Sequence, residues 1–239
     1  MPDNPLYFYK SIEPLEAKQL QKRLREKISL EPLDKPSQLV AGADISFDRG
    51  SDLMHAAIVA VDLRDMQPKT LSLVSDRTSF PYIPGLLAFR ELPVLWKAWN
   101  QLDANPEVLI LDGHGLAHPR RMGIATHFGI EIDHPTMGVA KNILTGSHST
   151  LAPEKGASAD LMDEGEKVGI ALRSRTNVNP VYVSPGHKLS FGDAYALAVR
   201  TLTKYKLPQT TRLAHKWANK LRRGEAREGV WKVDDRQLL

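Results

Sequence analysis

The chain contains no cysteine, which excludes disulfides, thiolate nucleophiles and cysteine-bound zinc from its chemistry. That absence suits a reducing compartment, and a cytoplasmic location is the expectation. No apolar run approaches the roughly 18 to 20 residues that a membrane span needs, so no membrane partner is expected. The opening residues, MPDNPLYFYK, lack a basic segment followed by an apolar one, and no secretion signal is expected. No Ser/Gly-rich or Pro-rich linker divides the 239 residues, which predicts one domain spanning 1–239, as a monomer.

What is present leans basic. A net charge of +4 and a pI near 9.2 favour a polyanionic partner. Basic residues cluster at Lys22, Arg23, Arg25 and Lys27, at Arg120 and Arg121, at Arg173 and Arg175, and at Lys216, Lys220, Arg222 and Arg223. The first cluster reads as the solvated face of a helix. The others could serve as a phosphate track.

Residues 13 to 28 carry Leu20, Leu24 and Ile28 at fourfold spacing among charges, which predicts an amphipathic helix. Three apolar runs follow, Leu39 to Phe47, Ala56 to Leu63 and Lys69 to Ser75, joined by Asp-Arg-Gly-Ser and Arg-Asp-Met-Gln-Pro turn chemistry; they predict an antiparallel meander. The loop Phe80-Pro-Tyr-Ile-Pro-Gly85 leads into a helix over Leu86 to Leu102, expected to be interrupted or kinked at Pro93. EVLILDGHG then reads as a buried central strand ending at Asp112. Further expectations are a short helix near Ile124 to Phe128, and strands at Pro135 to Lys141, Val168 to Arg173 and Val181 to Val183. Helices are expected over Asp193 to Tyr205 and Thr211 to Arg223, with 144 to 166 polar and irregular. This order is that of the ribonuclease-H-like α/β fold, a mixed β-sheet flanked by helices on both faces, with ligands collecting at the carboxyl ends of its strands.

Asp44 interrupts the apolar run LVAGADISF, where an unpaired buried carboxylate is costly. Asp112 ends VLILD, and Glu91 lies in the first turns of the helix after the meander. In the predicted fold the first and central strands are neighbours, so the three carboxylates converge. Close like charges raise one another's pKa unless a cation intervenes, and hard oxygen donors suit magnesium, with manganese as a substitute. Lys141, closing PTMGVAK, could hold a phosphate oxygen or the attacking water. His215 lies off the Leu213, Trp217, Leu221 stripe and is free for metal-site or proton-transfer work. Taken singly, each acid could equally pair with an arginine or cap a turn.

The PYIPG loop running into LLAFREL, LDGHGLAHPRRMGIATHFG at 111–129 and PTMGVAKN at 135–142 together resemble the endonuclease V family, from about Leu39 to His215. The resemblance implies a magnesium-dependent DNA repair endonuclease. Its partner would be single- or double-stranded DNA containing deoxyinosine, the deaminated form of deoxyadenosine, cut at the second phosphodiester bond on the 3′ side. It carries Asp44, Glu91 and Asp112 over as metal ligands, with Lys141 and His215 as catalytic partners. It further implies a wedge at Pro81, Tyr82, Ile83 and Pro84, a strand contact at His118, and a base pocket at Gly85, Leu87, Gly113, Gly123, Ile124 and Gly138. Inosine RNA remains an alternative substrate. A non-catalytic binder would have no use for the three acids, and a Holliday-junction resolvase would have none for the PYIPG and GHGLAHPRR blocks.

Overall fold

The computed structural model, which describes residues 4–233, folds the three apolar runs into the expected meander: β1 (Leu39–Ser46), β2 (Leu53–Asp62) and β3 (Gln67–Arg77). On its other side β1 pairs in parallel with β4 (Val108–Leu111), Ala43 opposite Leu111, so Asp44 and Asp112 leave neighbouring strand ends. The remaining strands are β5 (Thr136–Ala140), β6 (Ser158–Asp163), β7 (Glu166–Leu172), β8 (Val181–His187) and β9 (Gly229–Lys232). They complete a mixed sheet in the order β6-β7-β8-β5-β4-β1-β2-β3-β9.

Because side chains alternate along a strand, each strand feeds two layers. Ala41, Ala43, Ile58, Leu109 and Leu111 face α1 (Pro14–Arg25), α2 (Leu87–Asn100) and α3 (Ile124–Glu131). On the opposite face, Val40, Val108, Ile110, Met137 and Val139 pack on α4 (Phe191–Thr201). Ala57, Val59, Leu71 and Leu73 pack there on α5 (Gln209–Arg222). Burying each Leu, Ile or Val stabilises the fold by about 1.5–3 kcal/mol. The seam of α5 is built from small residues: Thr210, Thr211, Ala214 and Ala218 are buried with Leu221, while the expected stripe residues Leu213 and Trp217 flank it half-buried. A Cβ on Gly42 would stand 2.2 Å from the Thr210 carbonyl carbon, so this helix rests directly on strand backbone.

Several expectations needed correction. α2 runs on through Pro93, whose carbonyl accepts a bond from Asn4 Nδ2 at 2.8 Å. α4 starts at Phe191, with the Ser190 hydroxyl accepting the Asp193 N–H, and stops at Thr201 because Leu202 is already extended (ψ 118°) ahead of Pro208. Tyr205 therefore lies in a loop. Segment 144–166 contains β6, and β9 covers the edge of β3; neither strand was anticipated. No helix among the described residues is long and apolar enough to cross a membrane.

A short helical turn, Tyr7–Lys10, is pinned beneath α3 by a buried polar cluster. The Tyr9 hydroxyl donates to Glu131, so the contact at 2.8 Å between His127 Nε2 and the Tyr9 oxygen is donated by the imidazole. His127 Nδ1 then has no partner among the described residues, and the ring stands edge-on to Phe89. Burial, reinforced by the nearby His118, depresses the His127 pKa from 6.5 to about 3. Between those values the unfolded chain holds the extra proton, so this contribution to stability is full above pH 6.5 and is lost as the pH falls. The expected slope is about 1.4 kcal/mol per pH unit for this one group. His127→Phe is expected to lower the melting temperature near neutral pH, by removing the Tyr9 bond, while flattening its fall on acidification; calorimetry across that range checks both.

Candidate active site

The pleat of β1 turns Asp44 toward α5, where Asp44 Oδ2 meets His215 Nδ1 at 2.7 Å. Asp112, one residue past β4, takes a 2.7 Å bond from Lys141 Nζ, one residue past β5. Glu91 comes from the second turn of α2 and is only 9% exposed. Burial first, then the charge of Asp44 and that of Asp112, push the Glu91 carboxyl up to about 8, with Arg90 opposing. Burial also raises Asp44, aided by Asp112 and resisted by the His215 bond; that bond in turn lifts His215 above the usual histidine value. All five expected catalytic residues thus meet at the carboxyl ends of the strands.

As placed, no three His, Asp or Glu side chains among the described residues are grouped to enclose an ion, because Asp44 and Asp112 turn to His215 and Lys141. The donor set nonetheless fits a hard divalent cation. Three carboxylates supply hard oxygen donors, and the buried Glu91, held protonated near neutral pH by burial and by its acidic neighbours, is the group that a divalent cation would ionise.

Asn219, four residues beyond His215 on α5, was not foreseen from the sequence. Its amide donates to His215 Nε2 at 3.0 Å and to the His215 carbonyl at 2.9 Å, while its Oδ1 accepts the Ser46 hydroxyl at 2.9 Å. An Nε2 that accepts leaves the proton on Nδ1, aimed at Asp44. The i, i+4 spacing from a candidate histidine was the only available signal.

Around the end of β4 lies a cavity of about 240 Å³, between the N-termini of α2 and α3. Gly85, Leu87, Gly113, Gly123 and Ile124 line it as expected, joined by His114 and Leu144, which were not foreseen. His114 Nδ1 is buried without a partner among the described residues. Ile83, Pro84 and Tyr82 belong to the same wall, Tyr82 being 68% exposed, and Pro81 lines a groove on the other side of Tyr82. Gly138 does not line the cavity. A Cβ there would come within 2.4 Å of the Gly113 oxygen, so Gly138 lets the cavity floor lie flat on β5.

The Tyr82 loop is clamped at its last residue. The Gly85 carbonyl receives Arg120 Nη2 at 2.6 Å and Gln21 Nε2 at 3.2 Å, with His118 Nε2 also at 3.2 Å, and Arg120 Nε bonds Gln21 Oε1. His118 is therefore buried, 3% exposed, against the cavity rather than set out for a strand, and burial beside Arg120 takes its pKa to about 4. The expected phosphate track at Arg120 and Arg121 is also corrected. Arg121 is buried on Asp163, Glu166 and the His118 carbonyl, and Arg173 is spent on the carbonyls of Leu151, Ala152 and Val178.

Carboxylates at adjacent strand ends of a mixed sheet, with helices on both faces, define a nuclease of the ribonuclease-H-like class. Residues 22–216 match the family model described as Endonuclease V. Endonuclease V of Rippkaea orientalis is 46% identical over 206 residues, covering 86% of this chain and 88% of the relative. The crystal structure of the Streptomyces avermitilis enzyme superposes with a TM-score of 0.84 at 36% identity, covering 90% of this chain and 95% of that one. Endonuclease V of Ciona intestinalis, solved with a 23mer DNA containing an inosine followed by a ribo-adenosine, superposes at 0.78 with 26% identity, covering 90% of this chain and all of that one. The chain belongs to the endonuclease V family.

Asn219→Ala is expected to release the His215 ring from a single tautomer, read from its imidazole ¹⁵N shifts. Nicking should fall about 10-fold or more, the usual cost of losing a group that orients a site histidine. An unchanged tautomer in the variant would assign the orientation of His215 to Asp44 alone.

Proposed function

We propose that this chain is a DNA repair endonuclease that recognises hypoxanthine in DNA and hydrolyses the second phosphodiester bond on its 3′ side. The observation that carries this reading is the pairing of a carboxylate cluster with a separate small cavity walled by the Tyr82 loop. The cavity suits a flat base, because glycine backbone can approach its edge closely and offer N–H and C=O groups. Tyr82, stiffened by Pro81 and Pro84, fills the gap left in the stack by the extruded base. The inosine-containing DNA bound to the Ciona intestinalis relative supports the choice of lesion.

Asp44, Glu91 and Asp112 would hold the divalent cation, magnesium in our reading with manganese as a substitute. Bound there, the cation would polarise the phosphoryl oxygens and lower the pKa of an attacking water. Lys141 holds a non-bridging phosphate oxygen, and His215 carries a proton beside Asp44. Water adds to phosphorus and the bond to the 3′ oxygen breaks, leaving a 3′-hydroxyl and a 5′-phosphate. The base stays on its sugar, because the acids face a phosphate and not C1′. A second reading, cleavage of inosine RNA, is favoured by the ribo-adenosine after the inosine in the relative's complex. Rates on matched DNA and RNA decide between the two.

Asp112→Ala should abolish magnesium-dependent nicking while leaving binding to inosine DNA intact, with the cut mapped on oligonucleotides that differ only in adenine or hypoxanthine; retained nicking would sink the carboxylate assignment. Tyr82→Ala should lose the preference for inosine over undamaged DNA. In the protein alone, magnesium at about 100 times its dissociation constant should raise stability by about 2.7 kcal/mol. That rise should vanish in Asp112→Asn combined with Glu91→Gln.

A further inference from the structure

Between Asp193 and Glu225 the chain has no acidic residue, yet it carries Arg200, Lys204, Lys206, Arg212, Lys216, Lys220, Arg222 and Arg223. Since α5 turns Ala214, Ala218 and Leu221 to the sheet, Arg212, Lys216 and Lys220 form a ridge at fourfold steps on its outward face. Like charges at that spacing weaken a helix, and nothing within α5 offsets them. Arg222 is engaged by Asp48, and Arg223 by Glu225. Lys204, Lys206, Arg212 and Lys216 form no ion pair among the described residues.

The ridge is ordered, and among the described residues only Lys220, in the field of Glu225, has an acidic neighbour. The Arg212 guanidinium lies 3.2 Å from the Tyr205 ring centroid and donates to Gln209, and Lys220 Nζ sits 4.8 Å over Trp217. Next to Lys216, His215 reaches Asp44, so the ridge borders the edge of α5 that enters the active site. At the other end Lys206 lies within the field of Lys141; burial, and then that charge, lower its pKa. Ridge residues rise about 6 Å from one to the next. A run of cations that regular suits an anion that repeats, as the phosphates of a polynucleotide do.

We propose that Arg212, Lys216 and Lys220, with Lys206 at the entry, bind the sugar-phosphate backbone of the strand that passes through the carboxylate site. This rests on the reading of the chain as a nuclease acting on a polynucleotide. The contacts are to phosphate, so they add affinity without sequence preference.

The test is the salt dependence of binding, measured without divalent metal on a labelled inosine duplex, for the wild type and for Lys206→Gln/Lys216→Gln/Lys220→Gln. The slope of log K against log salt should fall by about 0.9 for each phosphate no longer neutralised, or about 2 to 3 in all, with affinity down about ten-fold or more at moderate salt. Arginine at the same three positions should restore both, and the glutamine variant should melt no lower than wild type, being relieved of like-charge repulsion. Lys18→Gln, on α1 in the opposite layer, should leave the slope as it was. A wild-type slope and affinity in the triple variant would overturn the track. Nicking of the same duplex by the wild type, with magnesium, separates the outcomes: nicking with an unchanged slope removes the track alone, whereas no nicking removes the nuclease reading.

Discussion

The missing side chain at Gly42 governs how the site is assembled. Val40, Gly42, Asp44 and Ser46 share one face of β1, and α5 lies along that face close enough for Thr210 to touch strand backbone. From there Thr210, His215 and Asn219 meet Gly42, Asp44 and Ser46 in order. The match is geometric: two residues of strand advance about 6.7 Å, and the five and then four residues of helix between rungs about 7.5 and 6 Å. A ladder of polar contacts can therefore run between strand and helix without bending either. Any side chain at position 42 would lift the helix and stretch every rung beyond it.

Against this rigid frame stands a conflict of charge. Glu91 is buried and raised, and Asp44 is half-buried beside a second carboxylate. Lys141 and His215 face Asp112 and Asp44, and the repulsion that remains is expressed in the raised Glu91 carboxyl. Local arrangements of this kind cost stability, and the surrounding sheet, with two helical layers of apolar packing, offsets that cost. The Tyr82 loop follows the same division of labour, with an exposed Tyr82 at its tip and a thrice-bonded carbonyl at its base.

The framework was legible because apolar runs and turn residues report strand order directly, and that order brings three separately unremarkable acids together. What escaped depended on distant partners. β6 carries acidic residues at an edge, and β9 is four mostly exposed residues, so neither has a buried alternation to reveal it. Arg120 and Arg121 looked like surface charge, because their partners Gln21, Gly85, Asp163 and Glu166 lie 35 to 99 residues away. His114, between two glycines, carries no pattern of its own in the sequence, and only the fold sets it against the cavity. Pro93 looked like a helix breaker, although α2 continues through it to Asn100.

Asp44 and Asp112 sit across the sheet's edge from the cavity, while Glu91, on α2, comes from the cavity's own side. Leu87 and Ile124 stand over the face that packs α2 and α3, while Asp44 and His215 belong to the face that packs α5. On the proposed function, a strand must step over the rim of the sheet to occupy both. The interval between the base that is read and the bond that is broken is then set by the thickness of one hydrogen-bonded layer. On that reading side chains would retune which base is accepted, whereas the offset of the cut would be a gauge fixed by the backbone.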